Sequence, residues 1–231
     1  NTPIYQGATT TFAQTDTDWQ DVMFRNGPIH NNQIGISGGT DKSKFYLSIG
    51  NFKQNGVLPF TEYGRRSIRL NTDHNIGKYI SIGQTLMVSN DTRIGEGNAG
   101  GRSLVMNIMR MTPYWPVNDP TKIGGFSTTA QGLDATDPEN PMRIVNQEQK
   151  DNINRSYKVL GTLFAEVKFT NWLKYKFTMG GDYASNINSG FSPIYNDGNR
   201  SRTVASVSQS RGEYFSSVIT NQLSFDKNFG K

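Results

Sequence analysis

Cysteine is absent from the 231 residues. That excludes a disulfide framework, a thiolate nucleophile and any cysteine-based metal site, and it is compatible with an oxidising compartment without identifying one. Histidine is scarce. His30 and His74 are the only two, too far apart to pair on one helix face, which argues against a zinc site. No G-x-S-x-G elbow offers a nucleophilic serine, and no pair of carboxylates carries a glycosidase signature. Spacing alone leaves a Ser-His-Asp triad open, but no catalytic residue can be named, and the chain is read as a non-enzyme with no cofactor. No run of 18 apolar residues exists, so no membrane helix is expected. No block of five like charges exists either. The net charge of +5 comes from 24 basic and 19 acidic residues spread along the chain, which argues against a nucleic-acid tract despite a pI of about 9.3. Apolar residues reach only 34%, thin for a large water-soluble core but suited to a wall in which every second side chain is apolar. The chain opens at Asn1 without a charged-then-apolar leader, so a secretion signal is expected to have been removed or to lie upstream.

What the chain does contain is alternation. Ile34 and Ile36 share one face of a first extended run. Phe45, Leu47 and Ile49 share a face of a second, opposed by Lys44, Tyr46, Ser48 and Gly50. Ile68, Leu70 and Thr72 oppose Arg65, Ser67, Arg69 and Asn71. Ile80, Ile82, Leu86 and Val88 oppose Tyr79, Ser81, Gly83, Thr85 and Ser89. Turn chemistry separates these runs at Gly38–Asp41, Asn55–Pro59 and Asp73–Gly77, because Gly and Asn accept the positive φ of tight reversals. The pattern resumes with Val159, Leu163, Val167 and Phe169, then Leu173, Tyr175, Phe177 and Met179, and finally Phe215, Ile219, Leu223 and Phe225. Period-two patterning over seven runs predicts an all-β fold of antiparallel strands, one face apolar and one polar.

Connections alternate in length. Short turns are expected at 38–43, 73–78, 170–171 and 227–231, and longer ones at 54–62, 91–154 and 185–203. That alternation is the mark of an up-and-down transmembrane β-barrel, with long loops external and short turns periplasmic. Phe45, Phe169 and Phe225 then fall near the short turns as an interfacial aromatic girdle. Arg66 shares parity with Ile68 but sits near the external rim, where its guanidinium can reach lipid phosphates. The resulting division is an external loop with a short helix over 1–27, four strands over 28–91, a long and partly helical external loop over 92–153, and three strands over 154–231 with a loop at 185–203. Helices are expected over 16–25, capped by Thr17, and over 102–111.

The ordered series Thr17-Asp-Trp-Gln-Asp21, Gly38-Gly-Thr40, Tyr46-Leu-Ser-Ile-Gly50, Gln54-Asn-Gly56, Arg66-Ser-Ile-Arg-Leu-Asn71 and Ile82-Gly83 resembles SusC/RagA-type TonB-dependent outer-membrane transporters. The match is densest over 16–93 and looser over 154–230. The resemblance implies an interior fragment of a barrel of roughly 22 strands with an N-terminal plug. It implies an importer of oligosaccharides or peptides in the bacterial outer membrane. Its partners would be a SusD-like surface lipoprotein, a TonB complex acting through the plug, and the lipid bilayer. The alternatives are a non-transporting adhesin or structural barrel, and an outer-membrane enzyme on a small barrel.

Several motifs compete for a functional role. Tyr114 and Trp115, set between prolines in the longest loop, are the candidate ligand-binding aromatics, since flat rings stack on sugars and pack peptide side chains. The competing reading makes them a local loop core. Phe126, Phe191 and Tyr195 are further candidates. Gly95-Glu-Gly-Asn-Ala-Gly100 matches G-x-G-x-x-G, but its strand alternates and no parallel strand follows its helix, so a plain loop is favoured over a nucleotide site. Asp134, Asp137 and Glu139 offer oxygen ligands for Ca²⁺ at a spacing unlike any EF-hand, so a solvated acidic turn is favoured there. Arg65, Arg69, Lys158, Lys168, Lys174 and Lys176 line the polar face, where they either steer an anionic solute or solvate a lumen and pair with Glu166 and Asp182.

Overall fold

A computed structural model describes residues 2–96, 100–129, 137–197, 200–227 and 230. Seven strands form one sheet in chain order, each antiparallel to its neighbour: β1 Ile29–Gly39, β2 Ser43–Asn55, β3 Glu62–Ile76, β4 Ile80–Ile94, β5 Ile153–Lys168, β6 Leu173–Ser192 and β7 Ser206–Phe225. Among the described residues three α-helices lie in the connections, α1 Trp19–Met23, α2 Leu104–Arg110 and α3 Pro141–Ile144, the last continuing as a π-helical turn Val145–Gln149.

The register carries the sequence pattern across the sheet without a slip. Ile34 pairs Ile49, Ile49 pairs Ile68, Ile68 pairs Val88, Val88 pairs Val159, Val159 pairs Tyr183 and Tyr183 pairs Phe215. Paired residues share a face, so a one-residue shift anywhere would have thrown a whole strand's apolar set to the other side. From this row to the row joining Leu173 and Phe225, the apolar face carries no Asp, Glu, Lys or Arg. It is nonetheless open: Ile34 is 75% exposed and Leu223 68%. The opposite face holds Arg69, Lys158, Glu166, Lys174, Lys176 and Asp182, and it is the sheltered one, with Ser48, Ser89, Asp91 and Ser156 buried there. A sheet that hides its polar side and exposes its apolar side inverts the arrangement of a water-soluble protein.

The strands run farther than their apolar patterning. Pairing of β3 with β4 continues to Ile76 opposite Ile80, so the turn is Gly77-Lys78-Tyr79, with Gly77 at φ +69°, and does not begin at Asp73. His74 therefore lies in a strand, its Nδ1 2.9 Å from Ser43 Oγ. β6 and β7 pair out to Ser192 and Ser206, which shrinks the expected loop at 185–203 to 193–205. The added β6–β7 rows are mostly Ser, Asn, Gln and Gly, with Ile187, Phe191, Val207, Arg211 and Glu213 scattered among them, so they carry no clean period-two signal although their backbones pair throughout. The last expected turn, 227–231, falls mostly outside the described residues.

The helices needed smaller corrections. Asp18, not Thr17, caps α1: its carboxylate accepts from the amides of Gln20 and Asp21 at 3.0 Å each. Thr17 is spent elsewhere, its hydroxyl donating to the Trp115 carbonyl at 2.9 Å. Ser103 caps α2, where it accepts from Met106 N.

Close packing is found among the connections, not against the sheet. Trp19 and Met23 from α1, Leu58 from the β2–β3 turn, Leu104 and Ile108 from α2, Met111 and Trp115 beyond it, and Ile144 and Val145 from α3 form one buried cluster. Burial of aliphatic side chains of this size stabilises by about 1.5–3 kcal/mol each. That offsets the ordering of loops which otherwise have no sheet to hold them.

Candidate functional site

Two surfaces hold functional side chains. The first is the polar face of β2 to β6. Tyr63 donates from Oη to Asp91 Oδ1 at 2.8 Å, and Lys158 Nζ lies 3.6 Å from Asp91 Oδ2. Arg65 covers the Phe52 ring, which in turn packs on Tyr63. Tyr63, Arg65, Asp91 and Lys158, with Arg69, border a concavity of about 380 Å³. Nearer the short turns, Lys174 Nζ stands 3.9 Å from Glu166, and Lys176 Nζ 4.5 Å from the centroid of the Phe164 ring. Asp182 makes no ion pair among the described residues. Of the six cations read from the sequence, then, two meet acids and two meet aromatic rings. The face is polar and net positive.

The second surface is the loop body. At its centre Arg143 has a side chain only 2% exposed. Its guanidinium bonds Glu139, meets Glu148 Oε1 at 2.5 Å and Asp197 Oδ2 at 3.6 Å, and lies 4.1 Å from the Tyr195 ring centroid. Arg200 reaches Glu139, Asp197, the Asp137 carbonyl and Thr129 Oγ1. Arg102 pairs with Glu139 at 3.1 Å, and Arg110 with Asp137 at 2.5 Å. The network ties the β6–β7 loop to the long β4–β5 connection. Burial works against the charge on Arg143, but Glu148 and Asp197 outweigh it and hold its pKa above the ordinary value. Burial raises the Tyr195 phenol, with Arg143 pulling the other way. A hydrogen bond from Arg110, reinforced by that residue's charge, holds the Asp137 carboxyl below the usual range.

The structure places the sequence candidates as follows. Trp115 is buried in the loop core at 7% exposure and stacks edge-on with Phe12. Tyr114 packs beside it, ring centroids 5.8 Å apart, and keeps part of its surface open. Tyr195 is buried against Arg143. Phe191 is exposed near the end of β6. Phe126 forms an isolated bridge with Asn118. Of the acidic trio, Asp134 lies outside the described residues, while Asp137 and Glu139 are engaged by arginines. The centre of the glycine motif, residues 97–99, is also outside them. Glu96 ahead of it accepts from the Leu104 amide, so a carboxylate already occupies the start of α2.

The arginine network was missed in the sequence, although two signals for it were present. Asn140-Pro141 is a cap followed by a first-turn proline, and the Asn140 side chain does accept from Met142 N and Arg143 N. Glu139 and Arg143 stand four apart. Only the fold brings Asp197 to them.

A continuous antiparallel meander whose exposed face is free of charge from the Ile34 row to the Phe225 row, and whose polar face is sheltered, is a segment of an up-and-down β-barrel wall. No protein-family model matches the chain. Among curated proteins, TonB-dependent receptor P3 of Formosa agariphila is 28% identical over 171 residues, covering 71% of this chain and 16% of its own length. TonB-dependent receptor SusC of Bacteroides thetaiotaomicron is 24% identical over 202 residues, covering 80% and 20%. Among solved structures, the RagAB peptide importer in its closed-closed state superposes with a TM-score of 0.75 at 19% identity, over 94% of this chain and 24% of that one. Its open-open state gives 0.74 at 21% identity, over 96% and 24%. The chain is similar to a segment of the SusC/RagA-type barrels, and it spans about a fifth or less of the length of these curated relatives.

Proposed function

We propose that this chain is part of a TonB-dependent importer of the bacterial outer membrane, carrying oligosaccharides or peptides inward. The observation that carries the proposal is the exposed apolar face: seven strands with no charge between the Ile34 and Phe225 rows require lipid, while their opposite face is kept wet. The similarity to TonB-dependent receptors and to a peptide importer supports transport in preference to adhesion. In this reading the loop body, built from 1–27, the 56–61 turn, the long β4–β5 connection and the 193–205 loop, forms the external surface that meets a SusD-like lipoprotein and the solute. Tyr114 offers the open ring and Trp115 supports it from beneath. Coupling to TonB would come through a plug elsewhere in the polypeptide.

The test uses the full-length protein in its native membrane. Uptake of labelled oligopeptides and oligosaccharides is measured in cells with and without the gene, and again after TonB depletion. Loss of uptake of one solute class in both arms is expected, together with co-purification of a surface lipoprotein. Unchanged uptake of both classes in the deletion strain rejects the import reading.

A further inference from the structure

We propose that the rim of the apolar face between β2 and β5 is a binding site for the phosphate of an anionic lipid headgroup. The proposal rests on the lipid-facing reading of that face. The row Ile49, Ile68, Val88 and Val159 is the last apolar one toward the long loops. The next row on the same face is Asn51, Arg66, Asn90 and Tyr157, and the one beyond it Lys53, Gly64, Thr92 and Arg155. Between β2 and β5 charge thus enters abruptly, and there it enters as cations; farther along the same rows β7 carries Glu213 and Arg211, which pair with each other at 2.7 Å.

Of these, Asn51, Lys53, Gly64, Arg66, Asn90 and Thr92 border a depression of about 340 Å³, to which Phe52, Tyr63 and Arg65 of the alternate positions also contribute. A Cβ at Gly64 would meet nothing nearer than the Phe52 carbonyl at 4.0 Å, so the floor is open backbone. Lys53 and Arg66 stand exposed on its sides and form no ion pair among the described residues. Asn90 lies beside Arg66, its Nδ2 covered and donating to no acceptor. Thr92 adds a hydroxyl, and Arg155 follows in the same row. Glu62 is the one carboxylate bordering the depression, set two residues beyond Gly64 toward the loops. Both flanks are complete within this chain, with β1 on one side and β6 on the other, so neighbouring wall strands cannot cover the site.

A tetrahedral dianion matches this donor set: a planar guanidinium fork, an ammonium, a hydroxyl and side-chain amides border a small open floor. The adjoining apolar row fixes the source. A phosphate seated here has hydrocarbon immediately below it, as a headgroup does and a free ion does not.

The experiment uses the full-length barrel purified in uncharged detergent. Native mass spectrometry compares wild type with Lys53→Gln/Arg66→Gln, offering diphosphoryl lipid A, its dephosphorylated form, and inorganic pyrophosphate. Wild type is expected to retain the diphosphoryl lipid at least five-fold better than the double variant, with little retention of the dephosphorylated lipid by either. Equal retention by the two proteins, or equal retention of the two lipids, overturns the proposal. Pyrophosphate binding as well as the lipid overturns the headgroup assignment in favour of a free-anion site. Membrane fractionation of the same cells separates the two levels: a protein in the outer membrane without phosphate preference sinks only this site, whereas one absent from that membrane sinks the importer reading as well.

Discussion

Gly83 shows how tightly single positions are set on the polar face. A Cβ there would collide with the Phe164 ring and stand 2.5 Å from Asp73 Oδ1. The bare backbone lets Phe164 lie across the β4–β5 pair with Lys176 above it. Gly83→Val should displace that ring and destabilise the assembled barrel by about 1–3 kcal/mol, read as a lowered denaturant midpoint. Arg143 is set as tightly for the opposite reason, a charge held in place by three acids. Arg143→Ala leaves Glu139, Glu148 and Asp197 facing one another, a loss of about 3–5 kcal/mol confined to the loops. Faster proteolysis within 100–152, with heat-modifiable barrel migration unchanged, is the expected result; barrel loss would show that the network supports the wall. Asp137 adds a pH dependence. Its carboxyl titrates below its ordinary value of 3.8 because Arg110 stabilises the charged form. The stabilisation is therefore fully present above that value and is lost as pH falls through the lowered one. Loop proteolysis should be flat from neutral pH down to about 4 and rise below it, and Asp137→Asn should remove that share of the acid response.

Strands and loops differ in what holds them. The strands are joined by neighbouring backbones along an unbroken register and need no side-chain core. Their apolar face is instead a contract with lipid, and it can be tested at mid-strand. Leu70 and Leu86 pair on the charge-free face. Leu86→Arg should cost about 2–4 kcal/mol in refolding into bilayers, whereas Thr85→Arg on the opposite face should cost far less. Equal costs would mean that both faces are wet. The loops are held by their own apolar cluster and by Arg143, so they form a body resting on the wall. Deleting residues 113–150 removes Trp115, Ile144, Val145 and Arg143 together. The full-length protein should still assemble in the outer membrane while losing solute or lipoprotein binding; unchanged affinity would take the loop out of recognition.

At the scale of the molecule, the seven strands are an arc whose edge strands, β1 and β7, each lack one neighbour within the described sheet. β7 is exposed along nearly its whole length, on both faces. A free edge of twenty residues is a template for further pairing, which fits an arc continued by other strands of a larger wall. Near the short turns, Phe45, Phe169 and Phe225 are joined by a further aromatic. Trp172 stacks edge-on against Phe225 at 5.2 Å, with Lys227 above it, an amphipathic group of the kind that sits at a membrane interface.

Strand number, face and order were legible from residues such as Ile34, Leu70, Leu163 and Ile219, because a two-residue period needs only local geometry to become a two-faced sheet. Two loop helices, α1 and α2, were legible for a similar reason, since apolar spacing acts within a turn or two; the capping residue of α1 and the whole of α3 were not. Strand ends at Ile76 and Ser192 were not, since backbone pairing among polar residues leaves no mark in composition. Nor was the fate of Trp115 or the gathering of Glu139, Arg143, Glu148 and Asp197. A proline-bounded aromatic reads alike whether it faces a solute or a neighbouring helix, and an arginine reads alike in water or in a cage of carboxylates. Those outcomes depend on contacts between segments some fifty to a hundred residues apart, and only the folded chain brings such segments together.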